Sequence, residues 1–394
     1  MINLDDALNM VLSSAKILSS ETVSLPLALG RVLAQDVISP FDVPSRDVSS
    51  MDGFACRAGQ AGKIFKIVGE VQAGEIFSGK INEGEAVRIM TGGVIPNGAE
   101  YVIKVEEIID KGADIIEILC ESGLGDYIRK QGEETAKGER VLRKGTTINP
   151  EMLGLLARLG FEKIEVYFRP KVAILSTGNE VVNLGQPLGA GQIYDANFYV
   201  LAGLVKECGC EVQSLGLEKD DLGRIKGKIK AGQSADLLMI TGGVSAGKYD
   251  FVRQACEELS ADIVFHKVAQ RPGMPILFGR INQMPIFGLP GNPVSAVIAF
   301  ENLVKPLLMK MQGTEFCPQV FEAILEKDLV KEKKIRCFIR AMTEWKDGGF
   351  RTVPYEKQSS GVLRSCVESN SLIILSEELT VLKVGDPVKF RFTK

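Results

Sequence analysis

Between residues 170 and 311 short apolar runs alternate with helical stretches. VAIL (172–175), EVQSLGL (211–217) and LLMI (237–240) read as strands, followed later by IVFHKV, ILFG and PIFGL. Helical patterns fill 197–208, 222–231, 251–259 and 294–311. Such alternation buries its apolar surface as a mostly parallel sheet covered on both faces. Ligands of such sheets bind beyond the carboxyl ends of the strands. Three glycine-bearing turns fall at those ends: STGNE (176–180), TGGVS (241–245) and LPGNPVS (289–295).

A strand, a glycine turn and a helix together aim backbone N–H groups at an anion. Gly242 and Gly243 have no Cβ to keep a phosphate away. Residues 242–248 fit the first seven positions of a P-loop, but the eighth, a Ser or Thr that would hold Mg²⁺, is Tyr249. An anion-binding turn of another kind is therefore expected, with Ser245 inside it. In the third turn Asn292 is expected to cap a helix with Pro293 at its first position, leaving N–H groups and the Ser295 hydroxyl facing outward; a plain rigid turn fits the same residues. Lys267 and Arg271 stand either side of a short segment next to Pro272-Gly273 and suit an oxyanion. Asp52, Glu180, Asp195, Asp220, Asp221 and Asp250 stand beside turns. As hard oxygen ligands they suit Mg²⁺ shared with substrate phosphates, and each singly also suits an Asx-turn or a helix cap.

The rest of the chain is organised around this region. Residues 4–17 have helical spacing behind Asp5 and Asp6, and 25–43 read as partly helical. Short β-type runs separated by glycine turns fill 63–119. A helix with Asn149 as cap and Pro150 at its first position covers 150–159. If that helix packs on the N-terminal one, the β region is an insertion in a helical domain. From 320 onward strands dominate again. The expected division is 1–45 with 140–168 as a split helical and extended domain, 46–139 as an inserted β domain, 169–317 as an α/β domain, and 318–394 as a small β barrel.

Net charge is −3, from 47 basic and 50 acidic residues, which gives no reason to expect nucleic acid as a partner. Eight scattered cysteines lack a zinc spacing and read as reduced thiols. The acidic N-terminus and the lack of a bilayer-length apolar run point to a cytoplasmic protein with no membrane partner. The lone histidine, His266, reads as a strand side chain and excludes a multi-histidine zinc site.

Eight motifs in order, SSMDGFA, IMTGGVIPNGAEYVIKVEE, IRKQGEE, LSTGNEV, QIYDANFYVL, TGGVSAGKYDFV, KVAQRPGMP and LPGNPVSAVIAFENLV, resemble the molybdopterin molybdenumtransferase family, which includes the E domain of gephyrin. The resemblance spans essentially the whole chain. It implies insertion of molybdate into adenylated molybdopterin with release of AMP, dependent on Mg²⁺. It also implies an elongated homodimer with a composite active site, and a molybdopterin adenylyltransferase as upstream donor. It implies activity roles for Asp52, Thr91, Glu180 and Asp250, with Asp220 or Asp221 as a further acid. Lys267 and Arg271 match the family's basic pair, and Ser245 and Ser295 its pocket hydroxyls. Gly242, Gly243, Pro290, Asn292 and Pro293 belong to its substrate turns. Glu134, Asn179 and Met274 depart from the family pattern, and Met274 replaces a common lysine. The rival readings are a non-catalytic scaffold of the gephyrin type and a nucleotide pyrophosphatase on the same α/β fold.

Overall fold

The computed structural model describes residues 1–57, 61–243, 250–331, 335–378 and 381–393. The chain divides into two compact units: Met1–Ala34, Gly145–Asn149 and Lys163–Lys394 in one, Gln35–Lys144 and Pro150–Glu162 in the other. Helix α1 (Leu4–Ser13) opens the first unit, and Asn3 caps it by accepting from the Asp6 N–H. It stops short of residue 17 because the Ser13 and Ser14 hydroxyls turn back onto the Met10 and Val11 carbonyls. The 25–43 stretch is not helical beyond the short 3₁₀ turn Leu25–Leu27. Pro26, Gly30 and Pro40 interrupt it, and Val32 and Leu33 instead bridge to Thr147 and Val166.

The second unit is built on a six-stranded sheet. Its spatial order is Tyr101–Lys104, Gly53–Cys56, Glu85–Ile89, Ile64–Val71, Ile115–Ile118, Ile108–Gly112. Phe54, Phe65, Tyr101 and Ile103 fill one face, and Val71, Val87, Ile89 and Val102 the other. Gly53 is required here, since a Cβ would lie 1.8 Å from the Ile103 carbonyl oxygen. Helix α2 (Pro150–Arg158) belongs to this unit.

In the first unit a six-stranded sheet runs Glu211–Glu218, Lys171–Thr177, Leu237–Thr241, Met284–Leu289, Leu277–Ile281, Asp262–Phe265. The first four strands are parallel; Leu277–Ile281 joins Met284–Leu289 as an antiparallel hairpin, and Asp262–Phe265 pairs antiparallel with Leu277–Ile281. Helices α3 (Ala196–Glu207), α4 (Leu222–Ala231) and α5 (Phe251–Glu258) are capped by the Asp195, Asp221 and Asp250 side chains. Two cores result, one on each sheet face. Leu4, Ala7 and Val11 of α1 join the core that holds the last helical stretch. That stretch is α6 (Pro293–Ala299), a π-helical segment (Phe300–Val304) and α7 (Lys305–Met311). The π segment has a cause: Pro306 has no N–H for the Asn302 carbonyl, and the Lys305 N–H reaches back five residues to the Phe300 carbonyl.

The C-terminal strands close into a five-stranded barrel, in which Arg336–Lys346 pairs with both Gly349–Pro354 and Ser371–Leu375. The two-residue strand Gln270–Arg271 lies parallel to its start, so the VAQRPGMP segment reaches from the α/β sheet to the barrel. Trp345 is an edge residue, stacked edge-on against Phe350 at 5.0 Å.

Candidate functional site

Parallel registry brings the glycine turns together. Ser176 is paired with Thr241, and Thr241 with Leu289, so three strands end side by side. Beyond them lies a cavity of about 560 Å³ lined by Ser176, Glu180, Asp220, Gly242, Pro290 and Pro293, among others. Gly242 has φ +89°, and a Cβ there would stand 2.3 Å from the Thr177 carbonyl oxygen. Gly243 has φ +62° and would meet Val252 at 3.0 Å. Glycine is thus demanded first by strand-end packing, whatever ligand approaches. Asn197, in the first turn of α3, donates to Thr241 Oγ1 at 2.7 Å and to the Gly291 carbonyl at 2.8 Å, which ties two of the turns. Ser245 and Lys248 lie outside the described residues.

Among the described residues, the Ser176 hydroxyl, 2% exposed, and Asp220 Oδ1 at this cavity have no hydrogen-bond partner. Burial raises the Asp220 carboxyl above its ordinary range, and the negative charge of Glu180 adds to the rise. Its neighbour differs. Asp221 caps α4, accepting from the Arg224 N–H at 2.8 Å. Asp250 caps α5 through the Arg253 N–H at 3.0 Å, and burial raises its carboxyl too. Among the described residues no three His, Cys, Asp or Glu side chains gather to hold a metal ion by themselves. Glu180 and Asp220 do share the cavity, a donor set that fits Mg²⁺, which binds by one or two carboxylates together with substrate phosphates and water.

A second cavity, about 730 Å³, adjoins the first through Pro275, Pro290 and Asn292. Arg271 and Met274 line it, as do Lys331, Arg340, Ser359 and Ser360 from the barrel region. Arg340 is 2% exposed, and its guanidinium donates to Ser365 Oγ at 3.1 Å and to the Ser359 carbonyl at 3.2 Å. Burial lowers its pKa, since a desolvated cation is costly. No carboxylate among the described residues pairs with it. Lys331, also buried, donates to the Ile335 carbonyl at 3.0 Å and to the Ser376 carbonyl. Asn292 holds the N-cap position of α6 but not in the expected way: its side chain donates to Ser360 Oγ at 3.0 Å and makes no cap bond. Ser295 is only 5% exposed but lies in the lining of this same cavity. Lys267 lines neither cavity; its carbonyl accepts from the Ile2 N–H.

In the other unit Asp52 and Thr91 form one exposed group. Asp52 Oδ1 accepts from the Thr91 N–H at 2.7 Å and from its hydroxyl at 2.8 Å. These two bonds hold the Asp52 carboxyl below its ordinary range. The pairing of Gly53 with Ile89 brings the two motifs together. His266 is half-buried, and burial with the nearby Arg253 charge lowers its pKa. Sequence reasoning missed Ser176, Asn197, Lys331 and Arg340. Ser176 and Asn197 stand within the STGNE and QIYDANFYVL motifs without having been singled out, and Arg340 left its own signal, an arginine within the apolar run CFIRAM.

Family models match along the chain: the MoeA N-terminal region (domains I and II) over residues 2–160, a probable molybdopterin binding domain over 173–310, and the MoeA C-terminal region (domain IV) over 322–392. The molybdopterin molybdenumtransferase of Haemophilus influenzae is 36% identical over 98% of both chains. That of Bacillus subtilis is 34% identical over 95% of this chain and 90% of its own. The solved structure of a molybdopterin biosynthesis MoeA protein from Pyrococcus horikoshii OT3 superposes with a TM-score of 0.85 at 31% identity, covering 100% of each chain.

Proposed function

Because the chain belongs to the MoeA family of molybdopterin molybdenumtransferases, enzymes that insert molybdenum in molybdenum cofactor biosynthesis, we propose that its two adjoining cavities divide the substrates. The glycine-turn cavity takes the adenylated molybdopterin, and the Arg271–Arg340 cavity takes molybdate. The observation that carries this reading is Arg340, a buried guanidinium without a carboxylate partner among the described residues, in a cavity shared with Lys331 and Arg271. A buried cation of that kind is stabilised by an anion. Asn292 and Pro290, common to both cavities, mark where the dithiolene sulfurs would meet the oxyanion.

In this scheme Ser176 donates its hydroxyl to a phosphate oxygen as AMP leaves. Glu180 and Asp220 are the carboxylates that would hold Mg²⁺, which when bound neutralises phosphate charge. We assign Asp52 and Thr91 to a composite site in a homodimer, where one protomer's exposed acid serves its partner's cavity. The adenylated substrate comes from a molybdopterin adenylyltransferase acting before this enzyme. The four-part domain division and a cytoplasmic location complete the proposal; no helix among the described residues is long and apolar enough to cross a membrane.

The test is AMP release from adenylated molybdopterin, followed with and without molybdate. Wild-type release should require molybdate, and Arg340→Met should raise the molybdate concentration needed for half-maximal release. Release that ignores molybdate would favour a pyrophosphatase activity and overturn the scheme.

A further inference from the structure

The turn that carries Arg271 is held from behind by a file of buried side chains. Arg391, on the barrel strand Pro387–Phe392, donates through Nη2 to Asn302 Oδ1 at 2.8 Å. Asn302, inside the π segment, donates through Nδ2 to Gln270 Oε1 at 3.0 Å. Gln270 donates through Nε2 to the carbonyls of Pro272 and Gly273, each at 3.3 Å. Gln270 is fully buried, and Asn302 and Arg391 are 7% exposed.

Both ends of the file fix its polarity. A guanidinium can only donate and a backbone carbonyl can only accept. The two amides between them must each accept on the Arg391 side and donate on the turn side. The chemistry of the ends thus sets which way each amide faces, with no alternative flip that keeps every bond. The π segment matters because a helix turn widened by one residue changes the direction in which residue 302 points. The turn itself has no slack: a Cβ on Gly273, whose φ is +93°, would sit 2.9 Å from Gln270 Nε2 and 3.0 Å from the Ser295 carbonyl oxygen.

We propose that this file positions the oxyanion subsite, with Gln270 and Asn302 as positioning residues that act through the 270–274 turn. Gln270 keeps two acceptor carbonyls engaged on the buried side of the turn, and Arg271 beside them is presented to the cavity. Arg391 anchors the file in the barrel, so the α/β sheet and the barrel are registered at the point where the anion binds. The inference rests on the reading of the Arg271–Arg340 cavity as the molybdate subsite.

Two variants invert the polarity with little change of volume. Gln270→Glu still accepts from Asn302 but offers the turn no donor. Asn302→Asp still accepts from Arg391 but offers Gln270 no donor, so Gln270 must turn its amide round and release the carbonyls. AMP release is measured against molybdate concentration, with thermal midpoints recorded in parallel. Both variants should raise the half-saturating molybdate concentration about tenfold, the scale of one lost positioned hydrogen bond. The maximal rate should stay within about twofold, and the affinity for AMP alone should not change. Unchanged half-saturation together with a lowered thermal midpoint would show a purely structural file and overturn the proposal. Should Gln270→Glu fail to fold, Asn302→Asp decides, since it leaves Arg391 paired. Arg340→Met separates the layers. If it too leaves half-saturation unchanged, the cavity reading falls and the inference with it. If it raises half-saturation while both amide variants do not, the inference alone is wrong.

Discussion

Two adjacent aspartates divide their work at the start of α4. Asp221 serves the helix, and Asp220 serves the cavity. Asp221→Ala should cost about 1 kcal/mol of stability, the worth of an N-cap, with activity retained; urea unfolding and AMP release check it. Asp220→Asn should do the reverse, cutting activity while stabilising the fold near neutral pH. The sign follows from linkage. Burial raises the folded carboxyl, so its contribution is complete below the unfolded pKa and is lost as pH rises through the folded one. The gain in thermal midpoint from Asn should therefore be present near pH 7 and shrink toward acid. Met274 is a second residue with an opposed pair of effects. It lines the cavity of about 730 Å³ and packs against the barrel core. Met274→Lys should lower the half-saturating molybdate concentration severalfold and steepen its salt dependence, at a stability cost of about 1 kcal/mol. Titrations at two ionic strengths and a denaturation curve test both halves.

At the scale of elements, strand-end turns carry the site, and their glycines answer to packing before they answer to ligands. Gly242→Ala should lower stability by roughly 1–3 kcal/mol even without substrate, because a positive φ and contact with the Thr177 carbonyl both resist a Cβ. Calorimetry on the ligand-free protein decides this. Only a variant that spares the fold can then report on binding. The alternation of strands and helices was readable because period and punctuation are local: α4 spans the residues that the pattern marks, and α3 and α5 begin or end one residue away. The strand-end positions of the glycine-bearing turns were readable for the same reason. The π segment was not, since one proline inside a strongly apolar helix leaves the hydrophobic pattern intact. Nor was the cavity lined by Arg271, Lys331 and Arg340, because these three meet only after the VAQRPGMP segment joins the barrel as an extra strand.

For the whole molecule, the proposed composite site predicts complementation. Asp52→Ala and Glu180→Ala proteins should each be inactive, and mixed dimers should recover part of the wild-type rate, because one of their two sites keeps both acids. Glu180 is the better partner for this experiment than Asp250, whose loss would also uncap α5. Subunit exchange confirmed by mass, without recovered AMP release, would place both acids in one protomer's site.

Arg340, buried without a carboxylate among the described residues, also bears on how the protein tells one element from another. Cations and hydroxyls weigh charge and shape. Sulfate, a tetrahedral dianion, satisfies both as molybdate does. The cavity should therefore admit either ion, and only the formation of metal–sulfur bonds can make the choice. Sulfate should raise the thermal midpoint of the ligand-free protein and compete with molybdate for entry, yet never be consumed, so that discrimination resides in the dithiolene the enzyme is handed and not in the protein that receives it.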